Sequence, residues 1–309
     1  MERILNNLGM SNLEKLKGFH NDIYKATYQE KDIIIRISER RTKEELLEEV
    51  MILNEVKDQV RIAAPVKVDN QYVIKEKAYI LCFFELVNGL NWYETTLTQN
   101  THFEAGKELG LLHLALSKLP NVSRNHFDEH PDIQLLKDAK ELYQDELSNL
   151  LNKLNSYKVD KREYGLIHGD YLFSNLLYHE DGVTIIDFDD MEYNYYLYDI
   201  AVYLFYLLLG GNPSDIDKKA NIEIFQSFIK GYIRVNQEVI LDFDKLMDLF
   251  RLRQLKLLGT ITKKFDQSSL GEWQKKYIKL CEEQFMNDQD FVDIPYKKIY
   301  QDILERQEK

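Results

Sequence analysis

Over the first 80 residues hydrophobic positions come in alternating or β-branched runs, and after that they recur at helical spacing. DIYKATY (22–28) and KDIIIRIS (31–38) are two such runs, and the Gln-Glu pair between them predicts a hairpin. TKEELLEEVMILNEV follows, with Leu46, Leu47, Val50, Leu53 and Val56 on a helical period behind a threonine cap. APVKV, QYVIKEK and AYILCFFEL then complete a small, mostly antiparallel sheet. Beyond Asn88-Gly89 the helical patterns take over, beginning with HFEAGKELGLLHLALSKL and IQLLKDAKELYQDELSNLLNKL. The pattern reads as α+β and two-lobed. A small antiparallel β-rich N-lobe (1–87) meets a larger, mainly helical C-lobe (88–309) at a hinge near Val87 to Gly89.

One stretch interrupts the helices: LIHGDYLFSNLLYHEDGVTIIDFDD (166–190). LLY and VTII read as two short strands joined through an Asp-Gly turn. Asn175 precedes the first and Asp187 follows the second, each six residues from Asp181. Antiparallel pairing would bring both to the same open end, with backbones about 5 Å apart. Like charges repel, and unpaired carboxylates are costly to bury. Either this is a solvated acidic turn or something positive sits among the oxygens. An amide oxygen and a carboxylate at that spacing suit one hard cation. Mg²⁺ takes one or two protein oxygens and leaves its other positions to water and phosphates. Asp170, in the loop entering the same end, can face the cation without ligating it. Phosphoryl transfer asks for this division: metal on the phosphates and a carboxylate to take the acceptor hydroxyl's proton.

Composition narrows the partners. The 309 residues, 44% hydrophobic and 30% charged, are enough for one large domain or two and argue against disorder. A formal charge of −12 disfavours nonspecific nucleic-acid and acidic-membrane binding. Cys82 and Cys281 form no ligand or redox motif, which suits a reducing compartment. The N-terminus shows no apolar signal-peptide core. LYDIAVYLFYLLL (197–209), the longest apolar run, is too short for a span and holds Asp199, so it predicts a buried helix. A cytoplasmic protein is expected.

HGDYLFSN, IIDFDD and YLYDIAVYL, in that order, resemble the aminoglycoside phosphotransferase and choline kinase-like family, relatives of protein kinases. The resemblance covers roughly Asn21 to Leu209 and implies a protein kinase-like fold. It implies that Asp170 is the catalytic base and that Asn175 and Asp187 bind Mg²⁺, with ATP or GTP as donor. It places Arg36 on the nucleotide phosphates, paired with Glu49, and the backbone of Glu85 and Val87 on the adenine edge. The family's glycine-rich phosphate loop is missing: GFHNDIYKA has only Gly18. It implies that Asp199 braces the catalytic loop; Asp199 also suits a helix N-terminus. His168 is expected to fix that loop by hydrogen bonding, His113 to pack within its helix, and HFDEHPD to be an ordinary loop. Asp189 is a minor candidate for a second Mg²⁺, and YNYYLY (193–198) suits packing or a substrate cleft equally.

Three functions follow. The leading one is an ATP- and Mg²⁺-dependent phosphotransferase acting on a hydroxyl of a small molecule, of aminoglycoside, choline or homoserine type. The second is a Ser/Thr protein kinase resembling bacterial stress response kinase A, suggested by IDFDD and IAAPV. The third is a noncatalytic nucleotide-binding protein of the same fold, against which the intact set Asp170, Asn175 and Asp187 argues. The helical stretch Phe103 to Lys153 is expected to help wall the acceptor pocket, and the basic excess in Leu249 to Phe265 weakens any case for a polycationic acceptor.

Overall fold

A computed structural model describes residues 1–16, 21–38, 41–209 and 218–307. The chain opens with α1 (Glu2–Asn7) and β1 (Ser11–Leu16), both too short to carry a readable period. β2 (Asp22–Tyr28) and β3 (Lys31–Ser38) form the expected hairpin. Its two turn residues, Gln29 and Glu30, have φ of 46° and 64°, the left-handed values that match the twist of the flanking strands. α2 (Lys43–Val56) starts at Thr42, whose hydroxyl accepts from the Glu45 amide while the Glu45 carboxylate accepts from the Thr42 amide. β4 (Val73–Glu76) and β5 (Tyr79–Glu85) follow. Then come α3 (Gln99–Leu116), α4 (Pro131–Gln134), α5 (Glu141–Ser156), β6 (Tyr164–Ile167), β7 (Leu176–His179), β8 (Gly182–Ile185) and β9 (Glu192–Tyr195). The last five elements are α6 (Tyr196–Leu209), α7 (Lys218–Val235), α8 (Leu246–Lys264), α9 (Glu272–Met286) and α10 (Tyr296–Gln307).

Two compact units emerge. The first comprises Met1–Leu97, Lys118–Ser123 and Ser174–Asp189; the second comprises Thr98–Ser117, Arg124–Phe173 and Asp190–Lys309. The first contains an antiparallel five-stranded sheet in the order β1-β2-β3-β5-β4. Period-two alternation puts Tyr24, Ala26, Ile33, Ile35, Ile37, Leu81 and Phe83 on one apolar face, with Leu5 and Met10 packed against it. Among the described residues APVKV joins the sheet only through the single bridge of Pro65 with Phe84, because a proline cannot donate into a ladder; Val68 pairs with Gln71, outside the strands.

β7 and β8 belong to this first unit although they lie far along the chain. The Ala63 amide donates to the Ile185 carbonyl and the Ile185 amide to the Arg61 carbonyl, while Leu90 and Tyr178 exchange both backbone bonds. Their own register runs from Leu176 opposite Ile185 to His179 opposite Gly182. Glu180-Asp181 is therefore the turn, and Asn175 faces Ile186 rather than Asp187.

In the second unit, α6 is the buried helix expected of LYDIAVYLFYLLL; its Gly210-Gly211 end lies outside the described residues. β6 pairs antiparallel with β9. α3 and α7 touch backbone to backbone at glycines. A Cβ on Gly106 would stand 1.9 Å from the Phe228 carbonyl oxygen, and one on Gly231 would stand 1.9 Å from that of Phe103. Among the described residues no helix is long and apolar enough to cross a membrane, and Cys82 and Cys281 are free thiols, both buried.

The α3–α7 seam yields the first prediction. Gly106→Ala forces backbone apart, and overpacking of this kind costs about 1–3 kcal/mol. Gly271→Ala is the control, since the nearest obstacle there is the tip of the Gln274 side chain. Urea unfolding of both variants checks it: equal stabilities would mean that the seam yields easily.

Candidate active site

The loop after β6 carries His168, Gly169 and Asp170 within the second unit. Asp199, fully buried in the first turn of α6, holds it. One Asp199 oxygen accepts the His168 amide at 2.8 Å and the other accepts the Gly169 amide at 2.8 Å. His113 Nε2 lies 3.0 Å from the same carboxylate, and its Nδ1 lies 2.8 Å from the Tyr232 hydroxyl. Burial lowers the His113 pKa, so the neutral imidazole donates to Asp199 and accepts from Tyr232. The dual reading of Asp199 as helix-start residue and brace thus resolves into one position doing both. Gly169 has φ +81°, and a Cβ there would stand 2.1 Å from the Asp190 carbonyl oxygen. Only glycine turns the chain here. His168 accepts the Asp170 amide on Nδ1 at 3.3 Å, the loop-fixing role expected of it.

Asp170 itself is met by a residue the motif does not contain. Arg253, from α8, places Nη2 2.5 Å from Asp170 Oδ1 and donates from the same nitrogen to the Tyr206 hydroxyl at 2.6 Å. Burial lifts the Asp170 pKa above the usual carboxylate value; Arg253 pulls it down and Asp190 pushes it up again. Partial burial pushes the Asp190 pKa up, but His130, Arg253 and Lys256 hold it well below the usual range. Deeper in this unit Lys256 binds both Glu192 oxygens at 2.8 Å, with both side chains almost inaccessible.

The first unit holds a second charged group. Arg36 of β3 and Glu49 of α2 form a buried ion pair at 2.6 Å, as the resemblance implied. Burial opposes the Arg36 charge, but Glu49, Asp189 and Asp187 outweigh it and keep the guanidinium protonated. Its Nη1 stands 3.8 Å from Asp189 and 4.0 Å from Asp187. Asp189 also accepts from Asn21 Nδ2 at 3.0 Å, with the Arg41 guanidinium 3.8 Å away and bonded to the Asp189 backbone carbonyl. Protein cations thus meet the carboxylate considered for a second metal. Asp187 has φ +62° and a half-exposed side chain. Asn175 accepts the Ile186 amide at 3.0 Å, one residue short of Asp187.

The sequence-predicted residues therefore fall in two places. Arg36, Glu49 and Asp187 gather in the first unit, with Asn175 beside the same strand end. Glu85 ends β5, with its amide already donated to the Ala64 carbonyl at 2.9 Å, and the Val87 carbonyl accepts the Gly89 amide at 3.1 Å. Asp170 lies in the second unit. Gly18 lies outside the described residues, and Asn21, the first described residue after it, points to Asp189. Among the described residues no three His, Cys, Asp or Glu side chains form a metal-holding group. A site of one amide and one carboxylate fits a hard cation that keeps most of its ligands in water and phosphate.

HFDEHPD contains a short 3-10 turn, Phe127–Glu129. In YNYYLY, Tyr195, Tyr196 and Tyr198 are buried, which makes that cluster mainly packing. The partners that sequence reasoning missed are Arg253, Tyr206, Arg41, and His130 beside Asp190. The one available signal was RLRQLK, three cations on a helix otherwise rich in leucine.

The model of a phosphotransferase enzyme family matches residues 13–234. Amicoumacin kinase of Bacillus subtilis (strain 168) is 29% identical over 214 residues, 65% of this chain. The match spans 62% of the length of that relative. Stress response kinase A of Escherichia coli O157:H7 is 24% identical over 239 residues, 71% of this chain and 69% of its own. The solved structure of amicoumacin kinase hAmiN, in complex with AMP-PNP, Ca²⁺ and Ami, has a TM-score of 0.86 over 96% of each chain, at 19% identity. That likeness bears out the kinase-like α+β fold.

The Arg36–Glu49 pair generates the second prediction. Glu49→Gln leaves a buried guanidinium facing an amide, and breaking a buried pair in this way costs about 3–5 kcal/mol. Denaturant titration measures the loss, which would stay under about 1 kcal/mol only if the pair were solvated like a surface bridge.

Proposed function

The chain belongs to this phosphotransferase enzyme family, and we propose that it transfers the γ-phosphoryl group of ATP, with Mg²⁺, to a hydroxyl of a small molecule. One observation carries the reading. A permanently charged guanidinium, Arg36, is fixed by Glu49 at 2.6 Å and stands 4.0 Å from Asp187. A fixed cation beside a half-exposed carboxylate is what a triphosphate with its metal needs at one end.

In this reading Asn175 and Asp187 would hold Mg²⁺, which would offset the negative charge of the phosphates. Arg36 touches the phosphates, with Glu49 keeping its side chain extended. The carbonyl of Glu85 and the amide of Val87 meet the adenine edge. Asp170 accepts the proton of the acceptor hydroxyl as its oxygen bonds to phosphorus and ADP departs. The loop braced by Asp199 keeps that carboxylate in place, so little reorganisation is left to the moment of transfer. GTP remains an alternative donor for the same phosphate contacts.

The acceptor is proposed to be a small molecule, amicoumacin being the first to try on the 29% identity to the Bacillus enzyme. A protein acceptor is the second reading, supported by the 24% match to stress response kinase A. Two free, buried cysteines suit a reducing cytoplasm, where ATP and Mg²⁺ are supplied. ADP release with amicoumacin, aminopropanol, choline and a generic basic protein tests the choice. Transfer to protein hydroxyls alone would favour the second reading.

Two substitutions test the division of labour. Asp187→Ala is expected to abolish the Mg²⁺ dependence of ATP binding; a mutant whose affinity still follows Mg²⁺ like the wild type would remove Asp187 from the metal site. Asp170→Asn is expected to leave ATP affinity within a few-fold while lowering kcat about 10²- to 10⁴-fold, the usual reach of a general base. A fall of less than tenfold, with chemistry rate-limiting, would exclude Asp170 as the base.

A further inference from the structure

We propose that Arg253 is a positioning residue for the reaction, supplied by α8 to hold the Asp170 carboxylate ionised and aimed. This deepens the reading above, since it rests on Asp170 being the base.

The geometry is specific. A single nitrogen, Arg253 Nη2, bonds both Asp170 Oδ1 at 2.5 Å and the Tyr206 hydroxyl at 2.6 Å. The guanidinium carbon also lies 4.9 Å from the centre of the Tyr206 ring. Tyr206, its pKa pushed up to about 12 by burial, keeps its proton near neutrality, so it accepts from the arginine as a neutral hydroxyl. The side chains of Arg253 and Asp170 are 12% and 22% exposed. Water therefore screens the pair little, and the attraction is stronger than for a surface bridge. Arg253 Nε is buried without a hydrogen-bond partner. The arginine is thus satisfied chiefly through the nitrogen that faces Asp170, which a residue recruited only for packing would not require.

The charges around Asp170 make the arginine necessary. His168 belongs to its own loop, Asp190 lies just before β9, and Arg253 and Tyr206 come from α8 and α6. Asp190 and burial both oppose ionisation of Asp170, and Arg253 is the strongest influence in favour. Without it, Asp170 keeps its partial burial and the neighbouring Asp190 charge but loses its close cation, and so binds a proton more readily. A protonated Asp170 cannot accept a second proton from an alcohol. The balance also limits basicity, since a carboxylate pinned by a guanidinium accepts a proton less eagerly than a bare one. The arginine thus fixes the orientation of Asp170 and favours its ionised form.

The test reads Asp170 itself and needs no acceptor. The protein is labelled with ¹³Cγ-aspartate, the Asp170 resonance is identified by its loss in Asp170→Asn, and its titration is followed in Arg253→Gln and Arg253→Lys. Removing an adjacent opposite charge raises a carboxyl pKa by about 1–3 units. Arg253→Gln should move the midpoint up by at least one such unit, and Arg253→Lys, which keeps a charge, should move it less. Should Arg253→Gln fail to fold, Tyr206→Phe replaces it, with a smaller shift in the same direction. Once an acceptor is known, Arg253→Gln should lower kcat with little change in the KM for ATP and move the acidic limb of the rate profile to higher pH. A mutant Asp170 midpoint within about 0.3 units of wild type overturns the inference, whatever the mutant's melting temperature. Retained turnover in Asp170→Asn would instead overturn the base reading, and the titration would still report on the ion pair.

Discussion

A charge taken out of water must be met by an opposite charge or by hydrogen-bond donors, and the placement of functional side chains in this protein follows from that constraint. The chain carries twelve more acidic than basic groups, yet its arginines and lysines are not spread evenly over the surface. Arg36, Arg253 and Lys256 lie inside, each against a carboxylate at 2.5 to 2.8 Å. Such pairs contribute little net stability compared with apolar residues of the same size, but breaking one leaves an uncompensated charge. They work as locators: each fixes a carboxylate to one place and one orientation. The positive partner that the crowded acidic stretch calls for is thus protein, before any metal is considered.

Asp199 shows the same logic with neutral partners. It spends both oxygens on two consecutive loop amides and a histidine, so the loop of Asp170 is tied to the start of the most apolar helix. Gly169 completes the arrangement, since its backbone passes where no side chain fits. In the proposed role of base, the Asp170 carboxylate gains from such a mount, because its entropy is lost during folding and not during each turnover.

Much of this was legible in the residues. The Gln29-Glu30 hairpin, the Thr42 cap and the apolar run of α6 follow from local rules, and local rules act over a few residues. The Asp-Gly signal placed the β7–β8 turn one residue late, because bonds from Arg61 and Ala63 to Ile185 constrain that strand from outside the hairpin. Arg36 and Glu49 came from motif order, whereas Arg253 could not, since its partner is 83 positions away and no period links them. α1 and β1 escaped notice for a different reason: six residues make too short a window for either period to stand out.

The segment Ser174–Asp189 has a bearing on how the protein is born. It completes a unit whose other main part ends at Leu97, and backbone groups of Arg61, Ala63 and Leu90 find partners on it. At ordinary elongation rates the intervening chain takes roughly 5–20 s to synthesise. During that interval the segment around Ile62 stands with open hydrogen-bonding positions, a state in which another chain's strand would fit as well as its own. Completion of the first unit is thereby timed to the arrival of the β7–β8 hairpin.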